Sequence, residues 1–331
     1  MESLTAGVVI ALLAVLAAEF VNGWTDAPNA IATAVSTGVM TPRAAILMAV
    51  VLNTLGAMAG TAVATTVGQG IVTPDALTIP AITSTMVAIV AWGTLAAKLG
   101  IPVSKSHALL SGLAGAGFAG GGLDALQWSG WQKVGIGMVC SIGVGFIAAF
   151  ILARLIIRFA ANASPHRAKR NFDHLQMVSA AFMAFNHGLN DGQKFMGVFA
   201  LTLLAGGVTS EFSIPWWVIV VCALTMGIGT SAGGWRIIET VGSKMARLTS
   251  WQGFAATAAA SSTIFGASLY GVPLSTTHTI TSAIVGVGAG KRVSDVRWGV
   301  LRKIVVAWLL TFPSCAVIAY FAALIANRIW G

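Results

Sequence analysis

Two aspartates sit deep inside apolar stretches in matching settings: Gly23-Trp24-Thr25-Asp26 and Gly188-Leu189-Asn190-Asp191, with Asp26 and Asp191 165 positions apart. A carboxylate inside a membrane segment costs on the order of 3 kcal/mol or more unless it is paired, hydrated or protonated, so its presence points to a function. Beside the two acids stand Asn22, Thr25, Asn29, Asn190 and Gln193, oxygen donors of the kind a hard cation takes. Asp26, Asn29, Asn190 and Asp191 are therefore candidate cation-coupling residues. The competing reading is that each acid caps the half-helix that follows it. Glu19, seven residues before Asp26, is a candidate proton carrier, or else a group that faces a polar neighbouring helix. Lys105 and Lys194 lie near the same positions, and either could pair an aspartate or neutralise an anion. Lys194 is the repeat-equivalent of Asn29, again 165 positions on. A lysine that snorkels to the interface is the simpler alternative, and it fits Lys105 better than Lys194.

A second duplicated pattern supplies hydroxyls. Pro102-Val103-Ser104-Lys105-Ser106-His107 returns 171 positions later as Pro273-Leu274-Ser275-Thr276-Thr277-His278. Proline followed by hydroxyl residues opens a helix, where free N–H groups and the positive end of the dipole face whatever precedes it. Two such starts, one from each half, make an anion cradle in which Ser104, Ser106, Ser275, Thr276 and Thr277 donate. Lys105 and Gln193 join the candidate anion-binding set. For an isolated serine, bonding to its own helix would suffice as an explanation. His107 and His278 are expected to orient their helices by hydrogen bonding, since no second His or Cys at ligand spacing accompanies them.

These groups have to be positioned by membrane helices. Of the 331 residues 56% are hydrophobic and 9% charged, against about 25% charged in soluble domains. Apolar stretches fall near 6–40, 43–66, 79–97, 101–119 and 134–158, then near 175–204, 215–235, 251–269, 272–290 and 304–329. Five per half forces the second half to lie upside down relative to the first. The loop charges agree, with only Lys133 and Arg328 at outer ends. Arg43, Lys98, Arg154 to Arg170, the loop with Arg236, Lys244 and Arg247, and that from Lys291 to Lys303 fall on one side, expected to be cytoplasmic. The segments 67–78 and 205–213, with Asp75 and Glu211 but no Lys or Arg, fall on the other. The expected fold is thus all-α and polytopic: two inverted-topology repeats, 1–160 and 175–331, around a basic cytoplasmic linker at 161–174, with both termini outside. Asn22-Gly23 with Pro28, and His187-Gly188 with Asn190-Asp191-Gly192, are expected to break their helices. Met1-Glu2-Ser3-Leu4 lacks the basic flank of a cleavable signal, so the first stretch is expected to be retained as a span. The net charge of +9 belongs to cytoplasmic loops rather than to nucleic-acid binding. Cys140, Cys222 and Cys315 are widely spaced in apolar runs and indicate neither disulfide nor metal site.

Gly23 to Ala30, Gly188 to Lys194, the paired Pro-x-Ser-x-Ser/Thr-His segments, Ala30 to Thr37 and Gln193 to Gly197 resemble the signatures of the inorganic phosphate transporter (PiT) family. The similarity runs over essentially the whole chain. It implies a secondary transporter of the cell membrane that carries inorganic phosphate with sodium or protons and needs no cofactor. Carried over by motif position, Asp26, Asn29 and Asp191 resemble the family's cation ligands, a metal set only for a sodium-coupled member. Ser104, Ser106, Ser275 and Thr277 resemble its phosphate ligands. Lys194 stands where sodium-coupled members repeat the asparagine, and Lys105 interrupts the first hydroxyl cluster, which leaves the coupling ion open. A fixed ammonium beside Asp191 would do electrostatically what sodium does, so proton coupling is the expectation. The expected partners are phosphate, the coupling cation and the bilayer, with a homodimer as a candidate assembly. Sulfate or a metal-phosphate complex remains an alternative cargo. A hydrolase using Ser104 or Ser275 with His107 or His278 is the reading from another class, against which stands the lack of a G-x-S-x-G elbow or an H-E-x-x-H helix. An ion channel is the third.

Overall fold

The computed structural model describes residues 5–160 and 164–330. The N-terminal Met1 to Leu4 and residues 161–163 of the expected linker lie outside them. The first half runs α1 Ala6–Ser36, α2 Pro42–Ala57, α3 Ala62–Gly70, α4 Ile79–Leu99, α5 Lys105–Gly121, α6 Trp128–Val139 and α7 Gly145–Phe159. The second runs α8 Pro165–His187, α9 Gln193–Ala205, α10 Trp216–Ser231, α11 Trp235–Glu239, α12 Ser250–Leu269, α13 Thr276–Lys291 and α14 Trp298–Trp330. Each half passes through the same sequence of elements: a long helix, a bent pair, a straight helix, a short helix opened by a capping serine, a 3-10 turn and a final long helix. Even the two isolated antiparallel bridges, Val72 with Leu126 and Ala246 with Val296, occupy corresponding places. This order is compatible with a duplicated, inverted architecture.

Among the described residues, four helical segments are long and apolar enough to cross a membrane, namely α1, α4, the α6–α7 run and α14; the count is six if each bent pair is one span. The protein is a multi-pass membrane protein. Ten stretches were expected to reach spanning length, but α5 and α13 are only 17 and 16 residues long. Most residues of these two helices are buried by protein, so other helices surround them over most of their length. The bends also fall elsewhere than expected, at 66° between α2 and α3 and 67° between α10 and α11. Most of the supposed linker is helical too, because Pro165 opens α8 behind its Ser164 cap.

Helix α1 runs unbroken through Gly23 and Pro28. Gly23 is there for a close approach: a Cβ at this position would collide with the Met226 carbonyl of α10. Proline removes the N–H that would have met the Trp24 carbonyl. That carbonyl lies against Gly234, whose left-handed turn (φ +53°) opens α11. The corresponding run in the second half does not break either. Gly188–Gly192 forms a π-turn joining α8 to α9, the widened helical turn often found at functional sites. A Cβ on Gly188 would strike the Asn53 carbonyl of α2, so the first helix of each half locks against the second helix of the other.

Two apolar clusters fill the interior. One gathers α3, α4, α5, α9 and α10 around Val15 and Ala18; the other gathers α7, α8, α11, α12 and α13 around Ala30, Ile31 and Ala32. Helix α1 passes through both. Its polar residues, Asn22 to Asn29, fall between them, and there the site is built.

Candidate functional site

Each of the two short helices is started by a serine. Ser104 Oγ accepts from His107 N at 3.1 Å and Ser275 Oγ from His278 N at 3.2 Å, closing the first turns of α5 and α13. The rings of His107 and His278 meet edge to face with centroids 4.4 Å apart, so the two starts face each other. Both imidazoles were expected to orient their helices by hydrogen bonds. His278 instead has no partner on either ring nitrogen and packs against Trp308, and it is the backbone N–H of each histidine, not its ring, that donates to the capping serine. With the serine oxygens used as caps and both rings turned to one another, no serine–histidine nucleophile is assembled.

The aspartates reach this point from α1 and from the π-turn, and each meets an ammonium. Lys105 Nζ lies 2.8 Å from Asp26 Oδ1 and 3.3 Å from the Val103 carbonyl. Lys194 Nζ binds Asp191 Oδ1, the Leu274 carbonyl at 2.7 Å and Ser106 Oγ. Each lysine therefore spans from an aspartate to the backbone oxygen just before a capping serine. All four side chains are at most 3% exposed. Lys105 does not snorkel: its stem runs inward past Gly93 of α4, where a Cβ would touch its Cε.

Hydroxyls of α13 tie the two acids together. Thr276 Oγ donates to Asp191 Oδ2 at 2.7 Å, Thr277 Oγ to Asp26 Oδ2 at 3.3 Å, and Asn29 Nδ2 donates to Thr277 Oγ at 3.0 Å. Ser106 Oγ donates to the Leu274 carbonyl at 3.1 Å. The threonines expected to serve an anion are thus turned onto the carboxylates in this conformation. Ser104 and Ser275 keep their O–H groups, and the first N–H groups of α5 and α13 have no intrahelical acceptor.

Two expected residues point elsewhere. Asn190 Nδ2 donates to Ser268 Oγ at 2.8 Å and so fastens the π-turn to α12. Gln193 Oε1 accepts from Val63 N at 2.9 Å and caps the first turn of α3, whose Thr61 makes no side-chain cap. Successive helical residues lie about 100° apart, so neighbours of Asp191 in sequence are not its neighbours in space. Glu19 is fully buried, yet neither of its oxygens has a partner.

The sequence reading passed over His187, one turn before Asp191. Its Nε2 lies 3.2 Å from Asp191 Oδ2, and its Nδ1 lies 3.1 Å from Asn53 Oδ1, whose amide in turn donates to Thr230 Oγ at 3.0 Å. The i, i+4 spacing of His187 and Asp191 was the available signal. Ligand atoms of Asp26, His187 and Asp191 come within 4.8 Å of one another, the spacing of a metal centre. The same two carboxylates are already matched by two ammoniums, so the set has no net charge to offer a cation.

Such an arrangement, two facing helix starts with hydroxyls, amides and ammoniums inside a membrane bundle, suits the passage of an oxyanion. Known proteins agree. The profile of the phosphate transporter family matches residues 22–319. A Rhizobium meliloti protein named "Probable low-affinity inorganic phosphate transporter" is 42% identical over 92% of this chain and 93% of its own. A Bacillus subtilis protein of the same name is 38% identical over 97% and 98%. A solved structure described as the sodium-dependent phosphate transporter shares the fold, with a TM-score of 0.90 at 24% identity over 98% of this chain and all of its own. These relatives are transporters and not enzymes. The chain belongs to the phosphate transporter family.

Proposed function

We propose that this protein carries inorganic phosphate across the cytoplasmic membrane by symport with protons, through the site between α1, α5, α9 and α13. The observation that carries the reading is the pair of ammoniums. Lys194 occupies the repeat-equivalent of Asn29 and is surrounded by a carboxylate, a hydroxyl and a backbone carbonyl, the oxygen set a bound cation would take. Lys105 stands likewise between Asp26 and the Val103 carbonyl. A second cation at either place would be repelled by a unit charge a few ångströms away. The lysines act as tethered cations, and neither aspartate is left for sodium to neutralise.

Phosphate then competes with Asp26 and Asp191 for donors already in place: the two ammoniums, Thr276, Thr277, and the free O–H and N–H groups at the starts of α5 and α13. Charge-assisted bonds of this kind are about twice as strong as neutral ones, so exchange of a carboxylate for a phosphate oxygen keeps the donors satisfied. In the proposed layout residues 1–160 and 175–331 are the two inverted repeats, the basic stretch 161–174 is cytoplasmic, and both ends face outward. Purified protein in liposomes tests the reading. A pH gradient, acid outside and with sodium absent, should concentrate labelled phosphate, and excess sulfate should leave the accumulation standing. Accumulation that requires a sodium gradient would contradict it.

A further inference from the structure

We infer that Glu19, beside Asn22 on the same face of α1, is the group that holds the transported proton; the inference rests on the proton-coupled reading above. Glu19 is 0% exposed and Asn22 is 1% exposed, one helical turn further on. Both carboxyl oxygens of Glu19 and both amide atoms of Asn22 have no hydrogen-bond partner. Four unpartnered polar atoms packed side by side within a membrane span are rare, since buried polar groups are otherwise bonded. Asp26 and Asp191 have taken the two buried ammoniums. Glu19 is the buried carboxyl left without a counter-charge among the described residues, and a carboxyl in that position is sealed in only with its proton on.

The neighbours of Glu19 show how its proton bears on the substrate. The ionisable groups coupled to it by charge are Asp191 and Lys194, from the run after α8, and Cys222 from α10. While Glu19 is neutral, Lys194 stays with Asp191, Ser106 and the Leu274 carbonyl, where phosphate meets it. Once Glu19 loses its proton, a second carboxylate competes with Asp191 for the same ammonium and draws it out of the phosphate position. Proton and phosphate therefore occupy the protein together and leave together. The coupling is a free energy between two sites, and it acts in both directions. The proton comes from the water on one side, adds to a Glu19 oxygen, and returns to the water on the other side with the phosphate. No bond other than O–H is made or broken.

The test uses liposomes loaded with a pH dye, with wild type, Glu19→Gln and Glu19→Asp. Wild type should accumulate phosphate about tenfold for each unit of pH gradient and each proton carried, and phosphate influx should acidify the lumen. Glu19→Gln should still exchange internal for external phosphate, but without acidification and without accumulation on a pH gradient. Glu19→Asp should restore accumulation with a displaced pH profile. Glu19→Gln that still concentrates phosphate on a pH gradient overturns the inference, and so does Glu19→Gln that loses exchange as well, since the carboxyl would then serve packing or phosphate itself. Wild type that accumulates phosphate on sodium alone instead refutes the proton reading beneath it.

Discussion

The ammonium of Lys105 lies 2.8 Å from Asp26 Oδ1, and neither side chain reaches solvent or lipid. Its counterpart, Lys194 on Asp191, comes from the other half of the chain and reaches its aspartate from three residues away on the same helical run. The two ion pairs are alike in their oxygen partners and unlike in origin: Lys105 is supplied by the hydroxyl helix α5, Lys194 by the helix that also carries its aspartate. Two lysines at non-equivalent positions meet the same electrostatic requirement.

Removing one partner of such a pair strands a buried charge. Asp191→Asn should abolish uptake and also cost about 3 to 5 kcal/mol of stability, because Lys194 loses its carboxylate. The double variant Asp191→Asn, Lys194→Met should regain most of that stability and none of the transport. Thermal unfolding in detergent, read beside uptake, separates the two effects. An Asp191→Asn protein as stable as wild type would show that the pair is not formed.

The hydroxyls at the helix starts should matter to phosphate more than any polar loop group. Thr277→Val and Ser104→Ala should each weaken binding by about 1.5 to 3 kcal/mol, the value of a hydrogen bond to a charged partner. Asp75→Asn and Glu211→Gln should leave it as it is. Ser104→Ala should in addition lose about 1 kcal/mol of stability, since its oxygen caps α5. Isothermal titration with phosphate checks the affinities, and unchanged binding in both hydroxyl variants would reduce these groups to helix packing.

Gly188→Ala and Gly23→Ala should destabilise the protein, for the added methyl would meet backbone carbonyls of Asn53 and Met226 that cannot move aside alone. Gly135→Ala on α6, where nothing lies within 4 Å, should be neutral or slightly stabilising by helix propensity. Melting temperatures of the three variants decide this.

Lys194→Asn makes the second half resemble the first at Asn29. Its uptake should become stimulated by sodium, because Asp191 regains an unmatched charge and an amide oxygen. A variant that stays indifferent to sodium while still transporting would place the coupling elsewhere.

Much of this was legible in the residues themselves. The duplicated offsets located both helix starts and both aspartates, and the equivalence of Lys194 with Asn29 placed an ammonium beside Asp191. What escaped was a matter of angle and partner. Asn190 and Gln193 sit next to Asp191 in sequence, but the helical turn sends them to Ser268 and to Val63. Lys105 could be read either as the partner of an aspartate or as a snorkelling lysine, because the aspartate it pairs with lies on another helix. Gly23 and Pro28 read as a break, whereas Gly23 admits the backbone of α10 and the carbonyl freed by Pro28 rests on Gly234. The real bends follow α2 and α10, in loops that hold Gly60 and Gly233-Gly234. Their two-part character depends on how the halves interlock, which no single segment encodes.

The most direct test of the tethered-cation account is to ask which ion moves with phosphate. Liposomes holding the purified protein and a lumenal pH dye are given labelled phosphate with radiosodium at constant external pH, and in parallel with choline in place of sodium. The account predicts that each phosphate brings acid into the lumen, that radiosodium stays outside, that choline changes neither rate nor extent, and that a protonophore dissipates the accumulation. Radiosodium influx in fixed proportion to phosphate, with collapse of uptake in choline, would contradict it.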